Sequence, residues 1–160
     1  MNIIETKTLS RQQKMAIVRL WNQEYPHQLK FDTVEALDDY LWPLNNPVHY
    51  FVLDEHDRII AWTFLFERDM EMWFAIIVDT TTQQKGLGTS LLDMLKENQT
   101  LLNGWLTDHN NYFKTDGTTY LSPLGFYLKN GFTLCKETML ETGKLSAVKI
   151  KWVKEPGQKL

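Results

Sequence analysis

The chain has 160 residues, 43% hydrophobic and 12% aromatic, which suits one domain with a single sizeable core and is the composition of a globular rather than a disordered protein. A net charge of −3 with scattered basic residues leaves no footprint for nucleic acid, and the mild cluster of Lys144, Lys149, Lys151 and Lys154 reads as a solvated strand face. The lone Cys135 excludes an internal disulfide and a zinc cluster, so no metal is expected.

In chain order, NIIET reads as a first strand. Ser10 is a plausible N-cap for a helix running toward Trp21, with Met15, Ile17, Val18, Leu20 and Trp21 on its apolar face. TVEALDDYL predicts a second helix, capped by Asp32 or Thr33 and closed by Pro43. The period then changes to two. VHYFVLD and IIAWTFLFE flank the polar turn EHDR and predict a β-hairpin, which EMWFAIIVD extends as a third antiparallel strand.

A glycine loop follows, TTTQQKGLG, and then a helix from Thr89 to about Glu97 with Leu91, Leu92 and Leu95 on one face. NGWLT is a short strand, and strand–helix–strand in that order asks for a right-handed parallel crossover. SPLGFYLKN predicts a last helix with Ser122 as N-cap, Pro123 at the first helical position and Gly131 just past the end. FTLCKETM and SAVKIKWV, joined by ETGK, close the chain as a hairpin. The sum is an α/β (α+β) sandwich: a mixed, mostly antiparallel sheet of about seven strands flanked by about four helices, as one domain over residues 1–160. The opening MNIIETKTLS lacks a signal-peptide pattern, and no apolar run approaches the ~20 residues of a membrane span. A cytoplasmic protein without a membrane partner is therefore expected.

Three kinds of phosphate-binding loop begin with glycines after a strand. A P-loop needs Lys and Ser/Thr directly after its last glycine, but Gly88 is followed by Thr89 and Ser90. A dinucleotide fingerprint needs a third glycine where Leu91 stands, and a chain that begins βαβ. The third kind fits. Gln83-x-x-Gly86-x-Gly88 resembles the acetyl-CoA signature of the GCN5-related N-acetyltransferases, the GNAT superfamily, and FYLKNGF, Phe126 to Phe132, resembles that family's later motif. The order of elements matches as well, so the resemblance covers nearly the whole chain.

A loop that runs into a helix N-terminus offers unpaired N–H groups and the positive end of the helix dipole to the diphosphate of coenzyme A. Gly86 and Gly88 are read as letting the backbone approach the anion where a Cβ would intrude. The resemblance implies that Gln83, Gln84, Lys85, Gly86, Leu87, Gly88 and Thr89 hold the cofactor's phosphates. It also implies that a backbone amide among Ile76, Ile77 and Val78 polarises the thioester carbonyl, in a gap where the fourth and fifth strands splay. Tyr127 takes the family's position for the general acid that protonates the departing thiolate.

The general base is the open position. The fourth-strand residues in phase with Val78 are Met72 and Phe74, which cannot take a proton. Glu71 is one residue out of phase; Glu67, Asp108, His109 and a water chain are the other candidates. Tyr120 stands where the family often has an asparagine, and DHNNYFKTDGTTY is longer than the usual join, so it is expected to shape or cover an acceptor pocket. The first two helices carry Glu24, Asp32, Glu35, Asp38 and Asp39 among aromatics, which favours a cationic amine slightly, although most such acids only solvate a helix.

The first reading is an acetyl-CoA-dependent N-acetyltransferase that acts by direct transfer on a primary amine of a small molecule or peptide. The second is a non-catalytic acyl-CoA-binding sensing module of the same fold. A third, acetylation of charged tRNA, conflicts with the acidic balance. Family habit suggests a homodimer.

Overall fold

Each periodic segment becomes the element expected of it in a computed structural model that describes residues 2–82 and 86–157. The strands are β1 (Asn2–Thr6), β2 (Asn45–Leu53), β3 (Ile59–Arg68), β4 (Glu71–Val78), β5 (Leu101–Leu106), β6 (Thr133–Glu141) and β7 (Ser146–Val153). The helices are α1 (Arg11–Glu24), α2 (Val34–Leu41), α3 (Leu87–Glu97) and α4 (Leu124–Lys129), with a single 3-10 turn at His27–Leu29.

Local chemistry sets the helix starts. Ser10 and Gln13 form a reciprocal capping box on α1, and the Thr33 hydroxyl accepts from the Ala36 amide to start α2. α1 runs one turn past Trp21 to Glu24, because Pro26 disfavours a helical backbone only at Tyr25. α3 begins at Leu87, two residues before the expected Thr89, since Gly86 takes a left-handed φ of 77° and Leu87 can then turn into the core. In α4 the cap position shifts by one residue to Pro123, while the Ser122 Oγ accepts from the Leu124 amide at 3.3 Å and donates to the Thr107 carbonyl at 2.6 Å.

The seven strands form one sheet in the order β1-β2-β3-β4-β5-β7-β6. Every neighbouring pair is antiparallel except β4 and β5, which run parallel through the α3 crossover. Alternation along β4 separates two cores. Trp73 and Ile77 meet Ile17, Leu20, Trp21 and Leu37 of α1 and α2, whereas Phe74 meets Leu92, Leu95 and Tyr127 of α3 and α4. β3 is buried on both faces from Ile59 to Phe66, as a central strand must be. The turn from β3 to β4 is carried by Asp69 and Met70, both at positive φ (52° and 65°), which matches the twist of a tight hairpin. Among the described residues no helix is long and apolar enough to cross a membrane.

Candidate active site

The parallel pair at the centre of the sheet is barely a pair. β4 and β5 are in register only at Trp73 and Asn103, and no ladder joins them beyond, toward Val78 and Leu106. Asn103 staples the closed end: its fully buried amide donates to the Met72 carbonyl at 3.3 Å and to Glu71 at 3.0 Å. At the open end Ile76, Ile77 and Val78 keep β3 as their partner on one edge, so their other edge faces the gap.

α3 starts beside that opening. Its first turn holds no acid and its N-cap supplies no side-chain hydrogen bond, so the first amides are left for an outside acceptor. The two glycines serve different ends. A Cβ on Gly86 would meet nothing within 4 Å, and this residue is glycine for its left-handed backbone, which also leaves open space before the helix. A Cβ on Gly88 would lie 3.0 Å from Cζ of Phe126, so this glycine makes room for α4 rather than for an anion. The loop therefore fits a diphosphate through Gly86 and the helix amides of Leu87, Gly88 and Thr89. Gln83, Gln84 and Lys85 lie outside the described residues.

Tyr127 sits on α4, buried against Phe74, Phe126 and Phe132. Burial first, and the neighbouring Tyr120 second, push its phenol well above the usual tyrosine range, so it keeps its proton at neutral pH. Tyr120 is raised to about 12 by burial and by the charge of Glu24. Its ring stands 6.4 Å from that of Tyr25, whose phenol is raised by burial and then by Tyr120, Tyr40 and Tyr127. Beside Tyr25 and Tyr120 a cavity of about 630 Å³ opens between α1, α2 and the splayed strands, walled by Trp21, Tyr25, Phe31, Trp73, Trp105 and Tyr120; Tyr127 does not line it and sits behind Phe74, which does. Ala75 and Thr107 form its end at the gap.

The acetyltransferase (GNAT) domain family matches residues 46–134, more than half of the chain. The chain belongs to the GNAT acetyltransferases. Solved structures agree on the fold. An aminoglycoside 6'-N-acetyltransferase complexed with coenzyme A superposes with a TM-score of 0.70 at 13% identity, covering 99% of this chain and 100% of that one. The aminoglycoside 6'-N-acetyltransferase from Enterococcus faecium gives 0.68 at 14%, covering 99% and 100%. Spermidine/spermine N-acetyltransferase SpeG from Vibrio cholerae, in complex with manganese ions, gives 0.59 at 15%, covering 94% and 92%. No curated protein matches the chain by sequence.

Within this GNAT fold the candidate bases lie apart from Tyr127. Glu71 is at the closed end of the β4–β5 pair, held by Asn103 and by Lys151 at 3.3 Å, and these donors lower its pKa. Asp108 is exposed, and Glu67 accepts from Asn46 at the far end of β3. His109 packs on the Tyr112 ring and its Nδ1 accepts from the Asn111 amide. None of these four lines the aromatic cavity.

The acids of the first helices also turn elsewhere. Glu35 pairs with Arg11 and Asp38 with Lys14, both on the surface. Glu24 is buried and accepts from Lys114 at 3.1 Å, from Gln23, and from the Thr80 amide and hydroxyl. That carboxylate ties α1, the start of the glycine loop and the long β5–α4 join together. The join is itself anchored by the His27 amide on the Phe113 carbonyl, and it delivers Tyr120 to the cavity wall. Tyr120 reaches the cavity from the long join expected to shape an acceptor pocket, and Tyr25 and Tyr40 from the aromatic segment around the first two helices, whereas Arg68, at the end of β3, carried no reading in the sequence.

Proposed function

We propose that this GNAT protein is an N-acetyltransferase that moves the acetyl group of acetyl-CoA directly to a primary amine of a small molecule or peptide, acting as a single domain over residues 1–160. The observation that carries the proposal is the β4–β5 splay, which opens on one side to the bare N-terminus of α3 and on the other to an aromatic cavity. Acetyl-CoA bound there supplies a thioester whose acyl carbon accepts the amine nitrogen. The amides of residues 83–89 hold the diphosphate, and an amide among Ile76, Ile77 and Val78 donates to the carbonyl oxygen. Tyr127 carries a proton at Oη for the departing sulfur, and burial keeps that phenol protonated at neutral pH. With no carboxylate or imidazole among the described cavity residues, the proton of the amine leaves through water.

That same absence favours a second reading, an acyl-CoA sensor without turnover. Thiol release from acetyl-CoA with a panel of primary amines separates the two. Amine-dependent release supports the transferase, and binding of acetyl-CoA without release selects the sensor.

A further inference from the structure

The acceptor end of the cavity is charged opposite to what an ordinary amine site needs. Among the described residues its lining includes Lys30, Arg68 and Lys144 and no carboxylate. Lys30 has a weak partner in Asp32 at 4.0 Å, while Arg68 and Lys144 make no ion pair with a described residue. Arg68 is exposed at the mouth of the cavity. Its guanidinium lies 5.0 Å from the Phe66 ring centroid and 5.2 Å from that of Trp73, two rings of the cavity wall. Lys149 takes a further position 5.4 Å from the Trp73 ring. The aromatic faces that could have caged a ligand cation are thus partly taken by cations of the chain itself.

From these charges and rings we infer that the acceptor is an amine with an aromatic or apolar body and a carboxylate at its far end, which Arg68 receives. The inference rests on the acetyltransferase reading. Guanidinium groups bind carboxylates through two parallel N–H donors, and stacking on rings pre-orders the fork for that geometry. The spacing is set by the strand. Trp73, under Arg68, and Ala75, at the gap, are two residues apart on one face of β4, which covers about 7 Å. One benzene ring between amine and carboxylate spans such a distance. A polyamine of the same length would bring its second charge against Arg68 and Lys144.

The test uses three amines on one frame: para-(aminomethyl)benzoate, its neutral carboxamide, and the diamine para-xylylenediamine. Acetyl transfer to each is measured as kcat/KM with the wild-type protein and with Arg68→Gln and Arg68→Lys. The inference predicts the benzoate ahead of the carboxamide by at least about tenfold, as a charge-assisted pair supplies, and the diamine last. Arg68→Gln should bring the ratio of benzoate to carboxamide close to one, and Arg68→Lys should restore part of it. A diamine that matches or exceeds the benzoate overturns this inference and leaves the acetyltransferase reading standing. So does a ratio that Arg68→Gln leaves unchanged. No turnover of any of the three overturns this inference; if the wider panel of primary amines also gives no thiol release while acetyl-CoA shifts the melting point, the transferase reading falls with it.

Discussion

Gly88 and Phe126 are in contact: a Cβ at Gly88 would stand 3.0 Å from Cζ of the phenylalanine ring and 3.3 Å from Cε1. The last glycine of the loop motif and the first aromatic of the later motif are therefore two halves of one packing contact, which sets α4, and with it Tyr127, against α3. Gly88→Ala should push the ring by a few tenths of an ångström at a cost of about 1–3 kcal/mol, offset by about 1 kcal/mol of helix propensity, for a net destabilisation of about 1 kcal/mol. Phe126→Leu in the same chain should remove most of that penalty. A double-mutant cycle in urea checks this, and additive effects of the two changes would show that the contact does not explain the glycine.

Tyr127→Phe keeps the ring against Phe74 and Phe132 and removes only the phenol. As the proposed general acid its loss should lower kcat by about 10²-fold or more, with little change in acetyl-CoA binding. Because burial and Tyr120 hold the phenol above the ordinary tyrosine value, no alkaline limb from this group should appear in kcat below about pH 10. Steady-state kinetics over pH reads both. A Phe variant with wild-type kcat removes Tyr127 from the mechanism.

The β3–β4 turn holds an improvable defect. Met70 is fully exposed with φ 65°, a left-handed conformation that disfavours a side chain by roughly 1–2 kcal/mol. Met70→Gly should therefore stabilise the protein by about 1 kcal/mol, since the glycine entropy loss takes back part of the gain. Thermal melts decide it, and a lower melting point would mean that the Met70 side chain makes a contact worth more than the backbone strain.

His49 makes acid stability a test of the α1–α2 core. It is 2% exposed, stacked on Trp62, and its Nδ1 accepts from the Trp62 indole at 3.1 Å; burial lowers its pKa to about 4. The unfolded chain protonates this imidazole near pH 6.5, so between there and about 4 the unfolded state binds more protons than the folded state. The stability that neutral His49 contributes is present above pH 6.5 and is lost as the pH falls toward 4. His49→Gln should flatten the decline in unfolding free energy over that window relative to wild type. An equal slope in both proteins would assign the acid loss to carboxylates instead.

How far the sequence reaches depends on the range of the interaction. Ser10 announces α1 because an N-cap is local, and the alternation in SAVKIKWV announces β7 because one face of it is buried. The two glycine–aromatic motifs place the loop and Tyr127, but not the reason for Gly88, whose partner Phe126 comes from another helix. Glu24 was visible as an acid, yet its buried bonds to Thr80 and Lys114 depend on segments 56 and 90 residues away. The lysines of the last hairpin divide for the same reason. Lys149 lies over Trp73, Lys151 holds Glu71 and Lys144 lines the cavity, three neighbours that a single strand cannot foretell.

The most direct measurement of the central claim is the melting temperature of wild type and of Gly86→Glu with acetyl-CoA, CoA and an adenine nucleotide lacking pantetheine. Glu at residue 86 puts a negative charge in the open space before the α3 amides. Acetyl-CoA at 100 times its Kd should stabilise wild type by roughly 2.7 kcal/mol, a rise of roughly 5–10 °C, with the adenine nucleotide well behind and the variant unresponsive relative to its own unliganded melt. No shift of wild type with either acetyl-CoA or CoA would contradict the account, leaving the glycine loop a turn and removing both the transferase and the sensor readings.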